Sequence, residues 1–596
     1  MSGLRRRDFI KIAGSAMATG AFIDFLGNPL VSNVNKKKRP NVILILVDDL
    51  GYGDLSCHGN PVVKTPNIDH LYHQSARLTN FHVDPTCSPT RASLLTGRYS
   101  SRAGVWHTIM GRSILPKDEV TMAEIFSRNG YKTGIFGKWH LGDNAPFRAC
   151  DRGFAESLVL GGGAIGNTPD YWDNDYFDDF YSHNGTWEKQ SGYCTDVFFK
   201  VAMNFIEGVA GQPFFCYLPT NVVHWPHNVA EDYTKPYRGL IPDTRATFYG
   251  MLSNLDENIG KLLQFLKAKG LDKDTILIFM SDNGTSFGAE FDRQGFVTKG
   301  YNAGMRSHKG SVYEGGHRVP CFIRWPGGGI PSGRDIQGLA AHIDILPTLI
   351  DLCGLDVEKE LIFDGLPLSP FLKDNNYKWP ERTLVIHNQR VDIPIKGKDY
   401  VVMTSIWRLI NGKELYNICE DPSQHRDLSK QYPEVVKKLN EDYEQWWNDI
   451  SRRFNEYIWI PVGTNKENPV KLTTHDIHGQ VCWDQRHVRR NSRCDGFWTI
   501  EIVRDRVYDI EVSRWPKESG LSLWEAPEGA KVFRPTHARL KIGCYDFTLP
   551  VHEDDKSVKF TLRLSKQQTR LQAWLINDIE NGQTNSAFYV YLRRKD

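Results

Sequence analysis

Short apolar runs, each ending in polar residues, recur over the first half of the chain. The run from Asn41 to Val47 is apolar at every position after its first residue and is followed by Asp48 and Asp49. Such a run is typical of a strand buried on both faces of a parallel sheet. Similar runs lie at 133–136, 213–218 and 275–280. The pattern predicts strands whose polar residues gather at one edge of a sheet, where open α/β folds place their ligands.

Amphipathic helices are predicted between these strands. At 195–206 and 251–267 the apolar positions recur every three or four residues, which is the period of a helix with one buried face. Strands that alternate with helices indicate an α/β domain with a mostly parallel sheet flanked by helices. The stretch 160–192 is rich in Gly, Asp, Tyr and Trp and has no period. We interpret it as a long surface loop near the substrate.

The pattern changes in the last third of the chain. After about residue 385, short strands precede an amphipathic helix from Pro433 to about Asn455, and together they predict a small α+β subdomain. From about residue 466 polar and apolar positions alternate, as in the run 558–564, which predicts an appended all-β sandwich. With 596 residues the chain exceeds one hydrophobic core. The predicted domains are therefore 38–385, 386–465 and 466–596.

The first residues predict export from the cytoplasm. Arg5, Arg6 and Arg7 precede a short, weakly apolar segment of small residues that ends near Ile23. This order is typical of a secretory signal, which is too short to span a bilayer. The hexapeptide from Arg6 to Lys11 resembles the twin-arginine signal with which bacteria export folded proteins. A Sec-type signal is the alternative. Residues 1–32 are thus predicted to be a signal, the location periplasmic, and the chain not membrane-spanning.

The distribution of charge argues against nucleic acid as a partner. The formal net charge is +2, but the first 39 residues alone hold eight basic and two acidic residues. The rest of the chain is therefore slightly acidic and lacks the broad basic field of a nucleic-acid-binding surface.

One of the eleven cysteines lies in a distinctive motif. Cys87 is followed by Pro89, Arg91 and Gly97 in the run Cys-Ser-Pro-Thr-Arg-Ala-Ser-Leu-Leu-Thr-Gly. An isolated cysteine here would be interpreted as a buried structural residue at a helix start. The full motif resembles the signature of the type I sulfatase family, in which a maturation enzyme converts the cysteine into formylglycine. The resemblance implies an alkaline-phosphatase-like fold and a gem-diol nucleophile made from Cys87, with Arg91 holding its hydroxyl.

Oxygen ligands for a cation follow two of the predicted strands. Asp48 and Asp49 follow the first strand, and Asp282 and Asn283 follow the strand at 275–280. With the modified Cys87 they form an all-oxygen set, which suits Ca²⁺ or Mg²⁺ rather than zinc. The family resemblance implies Ca²⁺ in preference to Mg²⁺.

The resemblance assigns roles to four more residues, which occur in the family's order and spacing. It implies that Lys138 binds the nucleophile and sulfate oxygens, and that His140 takes the proton of the second hydroxyl. His224 and Lys309 would contact sulfate, and each is a candidate for the acid that protonates the leaving group. The match of motifs spans about residues 40 to 320 of the chain.

Substrate binding is predicted from aromatic residues and from the overall layout. Trp225 and His227, in the motif His-Trp-Pro-His, are assigned to substrate binding. Trp172, Trp187 and Trp225 lie near the predicted site loops, where tryptophan suits stacking on sugar rings. The layout with its β-rich tail resembles bacterial sulfatases of ulvan and other algal glycans. A sulfated carbohydrate is therefore the expected substrate, and a formylglycine-generating enzyme the expected partner.

Five residues at the start of the predicted sandwich have open assignments. His475, His478 and Trp483 could reach the site, but packing is the favoured role. Cys482 and Cys494 are close enough in sequence to form a disulfide in an oxidising periplasm.

Two other functions remain open at this point. A phosphonate or phosphate monoester hydrolase of the same superfamily would share the formylglycine motif. A carbohydrate-binding protein with a dead sulfatase domain is an alternative of a different class. The complete set of motif residues favours the active sulfatase.

Overall fold

Strands and helices alternate through the first half of the described chain, as the hydrophobic pattern predicts. The computed structural model describes residues 39–374, 376–578 and 583–596, so the signal predicted at 1–32 lies outside these ranges. The described strands are β1 Asn41–Val47, β2 Ala76–Leu78, β3 Phe81–His82, β4 Lys132–Lys138, β5 Glu156–Leu160, β6 Phe180–His183, β7 Thr186–Lys189, β8 Phe214–Pro219, β9 Thr275–Ser281, β10 Ala289–Phe291, β11 Val297–Gly300, β12 Cys321–Arg324, β13 Arg334–Ile336, β14 Ala340–Ala341, β15 Leu384–His387, β16 Tyr400–Met403, β17 Trp407–Ile410, β18 Glu414–Asn417, β19 Ile460–Val462, β20 Val470–Thr473, β21 His478–Gln480, β22 Asp495–Ile502, β23 Arg506–Ser513, β24 His537–Ile542, β25 Tyr545–Pro550, β26 Val558–Leu564, β27 Gln567–Asn577, β28 Gln583–Ser586 and β29 Tyr589–Arg594.

The helices fall mainly between the early strands. They are α1 Pro66–His73, α2 Cys87–Thr96, α3 Met122–Arg128, α4 Cys194–Gly208, α5 Glu231–Thr234, α6 Asp243–Ala268, α7 Glu314–His317, α8 Ile345–Cys353, α9 Ser369–Lys373, α10 Pro433–Ile450 and α11 Gln485–Arg489. The predicted helix at 251–267 thus begins eight residues earlier, and the helix from Pro433 ends at Ile450 rather than near Asn455. The stretch 160–192 is not wholly a loop, because it contains the β6–β7 hairpin.

Ten of the described strands form the central sheet, in the order β13-β2-β12-β9-β1-β8-β4-β5-β6-β7. The neighbours from β9 to β5 run parallel, while β12 and β6 run antiparallel to them. Successive side chains of a strand point to opposite faces. Val42 and Leu44 therefore join one apolar cluster and Ile43 and Ile45 another, which explains why β1 is apolar throughout.

A smaller sheet follows the central one. Among the described residues, β15 to β18 pair antiparallel in chain order. The buried face of α10, with Leu439, Tyr443 and Trp447, packs with Val402 and Leu409 of this sheet. This is the small α+β unit that the sequence predicts.

The last strands form the C-terminal sandwich, defined here as β19 to β29. In the part of the chain that the structure describes, one sheet has the order β19-β22-β27-β24-β25 with β21 and β28 attached, and the other has the order β20-β29-β23-β26. Trp498, Tyr508 and Trp515 lie in the core between them. Ile114 and Trp172 of the α/β part belong to the same apolar cluster. The sandwich is therefore packed onto the α/β part, within one compact unit of the described residues.

The domain boundaries remain a prediction, because residues of neighbouring parts pack in the same apolar clusters. Of the helices in the described ranges, none combines the length and apolar character that crossing a membrane requires.

Candidate active site

The residues predicted to carry the chemistry gather at one edge of the central sheet. Asp48 directly follows β1, and Asp282 directly follows β9, its parallel neighbour. On the other side of β1, β8 leads to the loop with His224, and β4 ends at Lys138. Because these four strands run parallel, their carboxyl ends meet at the same edge.

Cys87 is the first residue of α2 and lies against the ends of these strands. Its Sγ is 3.5 Å from Asp48 Oδ1 and 3.5 Å from Asn283 Oδ1. Every residue of α2 is buried, and the helix ends at Gly97, whose φ of +67° is the left-handed cap that glycine adopts without strain. Burial raises the pKa of the Cys87 thiol to about 12. An unmodified Cys87 would thus be a neutral thiol and a poor nucleophile.

Two lysines neutralise the aspartates that follow β1. Lys138 Nζ donates to Asp48 Oδ2 at 2.7 Å, and Lys309 Nζ donates to Asp49 Oδ1 at 2.5 Å. Burial raises the pKa of Asp48 to about 7. Burial also opposes a charge on Asp49, but Lys309 outweighs it and holds the pKa of this carboxyl below its usual range. Asp49 also adopts a left-handed backbone with φ of +62°, a strained conformation of the kind that clusters at functional sites.

Arg91 lies one helical turn after Cys87 on the same face of α2. Its guanidinium is fully buried and donates from Nε and Nη2 to Asp282 Oδ2, at 3.2 and 2.7 Å. Nη1 donates to the backbone oxygen of Lys138 at 2.9 Å. Burial opposes a charge on Asp282, but Arg91 lowers the pKa of this carboxyl. Arg91 therefore ties the start of α2 to the ends of β9 and β4.

The acidic residues and Cys87 fit a divalent cation. Ligand atoms of Asp48, Asp49, Cys87 and Asp282 all lie within 4.8 Å of one another. Asn283 Oδ1 faces the same Cys87 sulfur and adds a neutral oxygen. Carboxylate and amide oxygens are the ligands that Ca²⁺ and Mg²⁺ prefer. Carboxylates buried this closely together are costly unless positive charge balances them, and a divalent cation would add to that balance.

His140 is held as a neutral base near the start of α2, where Ser88 Oγ donates to its backbone oxygen at 3.0 Å. Its Nε2 is 2.9 Å from the backbone oxygen of Thr108, which only accepts, so Nε2 carries the proton. Nδ1 is buried and has no hydrogen-bond partner among the described residues. Burial, reinforced by Lys138, holds the pKa of His140 well below its ordinary value. Nδ1 is thus available to accept a proton.

The two histidines of the His-Trp-Pro-His loop after β8 have different surroundings. His224 Nδ1 donates to the backbone oxygen of Trp225 at 2.5 Å, which leaves Nε2 facing Asp49 at 3.9 Å. Burial lowers the pKa of His224 to about 3. His227 packs its ring edge-on against Phe287, with ring centroids 4.4 Å apart, and in the described chain it is outside the set that lines the cavity above Cys87.

A cavity of about 300 Å³ opens above Cys87. Of the residues predicted for the site, those on its wall are Cys87, His140, His224, Trp225 and Lys309. The candidate metal-binding carboxylates and Arg91 are buried at the strand ends. The cavity is thus large enough for a sugar unit above a charged floor.

Comparison with known proteins assigns this arrangement to a family. Residues 40–355 match the family model described as Sulfatase, and residues 307–449 match the model described as N-sulphoglucosamine sulphohydrolase, C-terminal. The chain belongs to the sulfatase family. It is a sulfuric ester hydrolase with the alkaline-phosphatase-like fold.

Two human enzymes and one solved structure illustrate the similarity of this sulfatase to known proteins. It is 28% identical to human arylsulfatase A over 465 residues, covering 70% of this chain and 85% of that one. It is 31% identical to human N-acetylgalactosamine-6-sulfatase over 359 residues, covering 56% of this chain and 66% of that one. A crystal structure of Ps i-CgsB in complex with k-i-k-neocarrahexaose matches with a TM-score of 0.62 and 28% identity, covering 70% of this chain and 95% of that chain.

The C-terminal part of the sulfatase reaches the cavity, which sequence reasoning did not favour. His475, Trp483, Asp484 and Arg486 all line it. Packing was the favoured role for His475 and Trp483, but the structure brings both side chains to the cavity, the alternative that the sequence left open. Asp484 and Arg486 were missed. Asp484 caps α11 and Arg486 lies in it, and a helix of five residues is too short to carry a periodic signal that would have found them.

Other predicted residues lie away from the cavity. Trp172 packs edge-on against Trp515 of the C-terminal sandwich, with ring centroids 5.5 Å apart. Trp187 lines a separate cavity with Lys471. Cys482 and Cys494 are free buried thiols in this structure, so their pairing stays a prediction.

Proposed function

We propose that this sulfatase removes sulfate from the esters of a sulfated polysaccharide or its oligosaccharides, using a formylglycine made from Cys87 and a bound Ca²⁺. The observation that carries the proposal is the position of Cys87. Its Sγ lies 3.5 Å from oxygens of two predicted cation ligands, Asp48 and Asn283, at the floor of a sugar-sized cavity. A buried neutral thiol has no evident role there, whereas a diol oxygen would complete an oxygen ligand set.

The roles of the chain's own residues follow from their contacts. Formylglycine, once hydrated, would supply one hydroxyl as the nucleophile and a second hydroxyl whose deprotonation expels sulfate. His140 Nδ1, unpartnered and neutral, is the acceptor for that proton. Lys138 and Lys309 place two ammonium groups at the floor, where they bind sulfate oxygens.

His224 and Lys309 are the candidates for protonating the leaving oxygen. Both line the cavity and both lie beside Asp49. Burial lowers the pKa of His224 to about 3, so His224 is neutral in the free enzyme. Lys309 keeps its proton, because Asp49 outweighs the effect of burial and raises its pKa. Lys309 is thus the residue that carries a proton to donate in this geometry. His224 gives its Nδ1 proton to Trp225, so it would bond to sulfate only after taking up a second proton at Nε2.

Asp48, Asp49, Asp282 and Asn283 would hold the cation. A bound Ca²⁺ would polarise a sulfate oxygen and help to ionise the adjacent hydroxyl. Arg91 donates two hydrogen bonds to Asp282. Arg91 would therefore hold Asp282 and the start of α2 in position around the cation.

A carbohydrate ester is supported by the relatives and by the cavity. The names of human N-acetylgalactosamine-6-sulfatase and of the neocarrahexaose complex both refer to sugars. Trp225 lines the cavity with its ring partly exposed, as a stacking surface for a sugar does. Ulvan or another algal glycan is the polysaccharide we propose, and His227 stays a proposed contact from the edge of the site.

Substrate turnover tests the function. Purified protein from a host with the maturation enzyme is assayed with 4-nitrophenyl sulfate, 4-nitrophenyl phosphate and a set of algal and animal sulfated glycans. Sulfate release from both aryl sulfate and a glycan is expected. Faster turnover of the phosphate would indicate a phosphate or phosphonate monoester hydrolase instead. Glycan binding with no sulfate release from any substrate would indicate a carbohydrate-binding protein.

We also propose export to the periplasm by the twin-arginine route, from the motif that includes Arg6 and Arg7. Conversion of Cys87 then precedes export, because a twin-arginine substrate crosses the membrane folded and α2 is fully buried in the fold. Replacing both arginines by lysine should retain the protein in the cytoplasm, as measured by cell fractionation. Unchanged export would favour the Sec-type alternative.

A further inference from the structure

One wall of the active-site cavity comes from outside the ranges that match the family models. Residues 475–486, which we call the sandwich wall, include four cavity-lining side chains, and both matched ranges end by residue 449. The wall precedes β22 of the C-terminal sandwich. The appended part of the chain is therefore part of the substrate site.

The sandwich wall is fixed to the loops that form the rest of the cavity. Met110 donates its backbone N–H to the oxygen of His475, and Thr168 donates to the oxygen of Trp483, both at 2.9 Å. At the rim, the guanidinium carbon of Arg486 lies 3.6 Å from the centroid of the Trp225 ring, a cation–π contact. The wall thus has a defined position relative to Cys87.

His475 presents an unpartnered ring nitrogen to the cavity. Its Nδ1 is 2.8 Å from Asp476 Oδ1, whereas its Nε2 is buried and has no hydrogen-bond partner among the described residues. The side chain is only 2% exposed, yet it lines the cavity. Because Asp476 accepts from Nδ1, Nε2 is the nitrogen left for a ligand, and it donates to an anion when the ring is the imidazolium. Burial opposes a proton on His475, but Asp476 outweighs it and raises the pKa.

The charges around the cavity favour an anion at this position. Lys309, Arg390 and Arg486 line it, against one carboxylate, Asp484. Asp484 is occupied, since it accepts from Nε and Nη2 of Arg486, each at 2.7 Å. Arg390 is exposed and forms no ion pair within the described ranges. A saccharide with a second anionic group would therefore be favoured over a neutral one.

We propose that His475 donates a hydrogen bond from Nε2 to a second anionic group of the substrate, a sulfate or carboxylate apart from the ester that is cleaved. The proposal rests on the proposed sulfatase function and deepens it. The C-terminal sandwich then selects saccharides with two negative groups, while the floor around Cys87 binds the reacting sulfate.

The test compares two histidines of the same segment. His475→Phe keeps a ring of similar size but removes the donor. His478→Phe is the matched control, because His478 Nδ1 also pairs with an aspartate, Asp392, at 2.8 Å, but its ring stacks on Phe497 and in the described structure does not line the cavity. Asp476→Asn is a second variant, which weakens the pair that orients His475.

Four probes separate the subsites. The first is 4-nitrophenyl sulfate, which has no second anion. Glucosamine 6-sulfate and glucosamine 2-N,6-O-disulfate differ by one sulfate, and a 6-sulfated chondroitin disaccharide offers a carboxylate instead. Each saccharide is measured both as a substrate and as a competitive inhibitor of aryl sulfate turnover, so that binding is read even where turnover is slow.

We expect His475→Phe to weaken binding or kcat/KM for at least one dianionic saccharide by about 10- to 100-fold, the value of a hydrogen bond to a charged group. Asp476→Asn should also weaken binding or kcat/KM for that saccharide, and His478→Phe should leave both unchanged. Turnover of 4-nitrophenyl sulfate should stay within about threefold in all variants, far below the effect of that bond. The affected probe identifies the anion as sulfate or carboxylate.

Three results would overturn the proposal. They are an equal loss on mono- and dianionic sugars, an equal loss on 4-nitrophenyl sulfate, and wild-type protein that binds dianionic sugars no better than glucosamine 6-sulfate. Failure of the proposed function itself is recognised separately, because wild-type protein would then release no sulfate from 4-nitrophenyl sulfate.

Discussion

Gly163 lies so close to His140 that a Cβ on the glycine would be 2.2 Å from Cε1 of the imidazole. The glycine belongs to the 160–192 stretch, and both residues line the cavity. His140 itself has a left-handed backbone with φ of +58°. The position of the proposed base is therefore fixed from two sides, by its own backbone and by a loop from beyond β5.

Gly163→Ala should lower activity without unfolding the protein. The added methyl must displace the imidazole, and a displacement of about 1 Å in a catalytic group can cost about 100-fold in rate. We expect kcat/KM for 4-nitrophenyl sulfate to fall about 10- to 100-fold with little change in the melting temperature. Gly208→Ala is the control, because that position in α4 has open space. Activity of Gly163→Ala equal to that of the control would show that His140 does not need this position.

Removal of the divalent cation should abolish activity and lower stability. Asp48, Asp49 and Asp282 are buried together with Asn283, so the proposed ion would bind the folded state and not the unfolded chain. A ligand that binds only the folded state raises the melting temperature. Exhaustive chelation should therefore stop turnover of 4-nitrophenyl sulfate and lower the melting temperature, and Ca²⁺ should restore both better than Mg²⁺. Full activity in the chelated, metal-free protein would rule out the proposed role.

Cys87→Ala should remove sulfate release and retain the fold. Without its precursor no formylglycine forms, and loss of a covalent nucleophile costs more than about 1,000-fold in kcat. Alanine leaves little strain at the start of α2. Cys544→Ala, at an exposed cysteine, is the control and should keep full activity. Mass spectrometry of the Cys87 peptide should show an aldehyde in place of the thiol, and an unmodified thiol in active protein would contradict the mechanism.

The sequence predicts the floor of the site better than its wall. Asp48, Asp282 and Lys138 each end or follow a strand of the same parallel sheet, so local pattern and sheet topology together place them at one edge. His475 and Arg486 reach the cavity only because the C-terminal sandwich packs onto Trp172 and its neighbours. That contact depends on the fit between two distant parts of the chain and not on the hydrophobic period of either part, so no local sequence pattern predicts it.

Arg408→Met should destabilise the fold strongly. Arg408 of β17 donates to Glu314 Oε1 at 2.6 Å, and both side chains are buried, so the pair joins the small sheet to the segment after Lys309. Removing one partner of a buried pair costs up to about 3–5 kcal/mol, and Glu314 would keep the more distant Arg318, whose Nη1 is 3.5 Å from Oε2. The double variant with Glu314→Gln should recover part of this loss. Arg426→Met is the control, since its exposed pair with Glu420 contributes less than about 1 kcal/mol.

The stability difference between wild type and Arg408→Met should depend on pH with a defined sign. Burial opposes the charge of Glu314, but Arg408 outweighs it and holds the pKa of this carboxyl below its usual range. A carboxyl with a lowered pKa stabilises the folded state above its unfolded value of about 4.3, and this contribution is lost as the pH falls through the folded value. The difference in melting temperature should therefore be largest near neutral pH and shrink below about pH 4.3. A difference that grows on acidification would show that Glu314 is not the group involved.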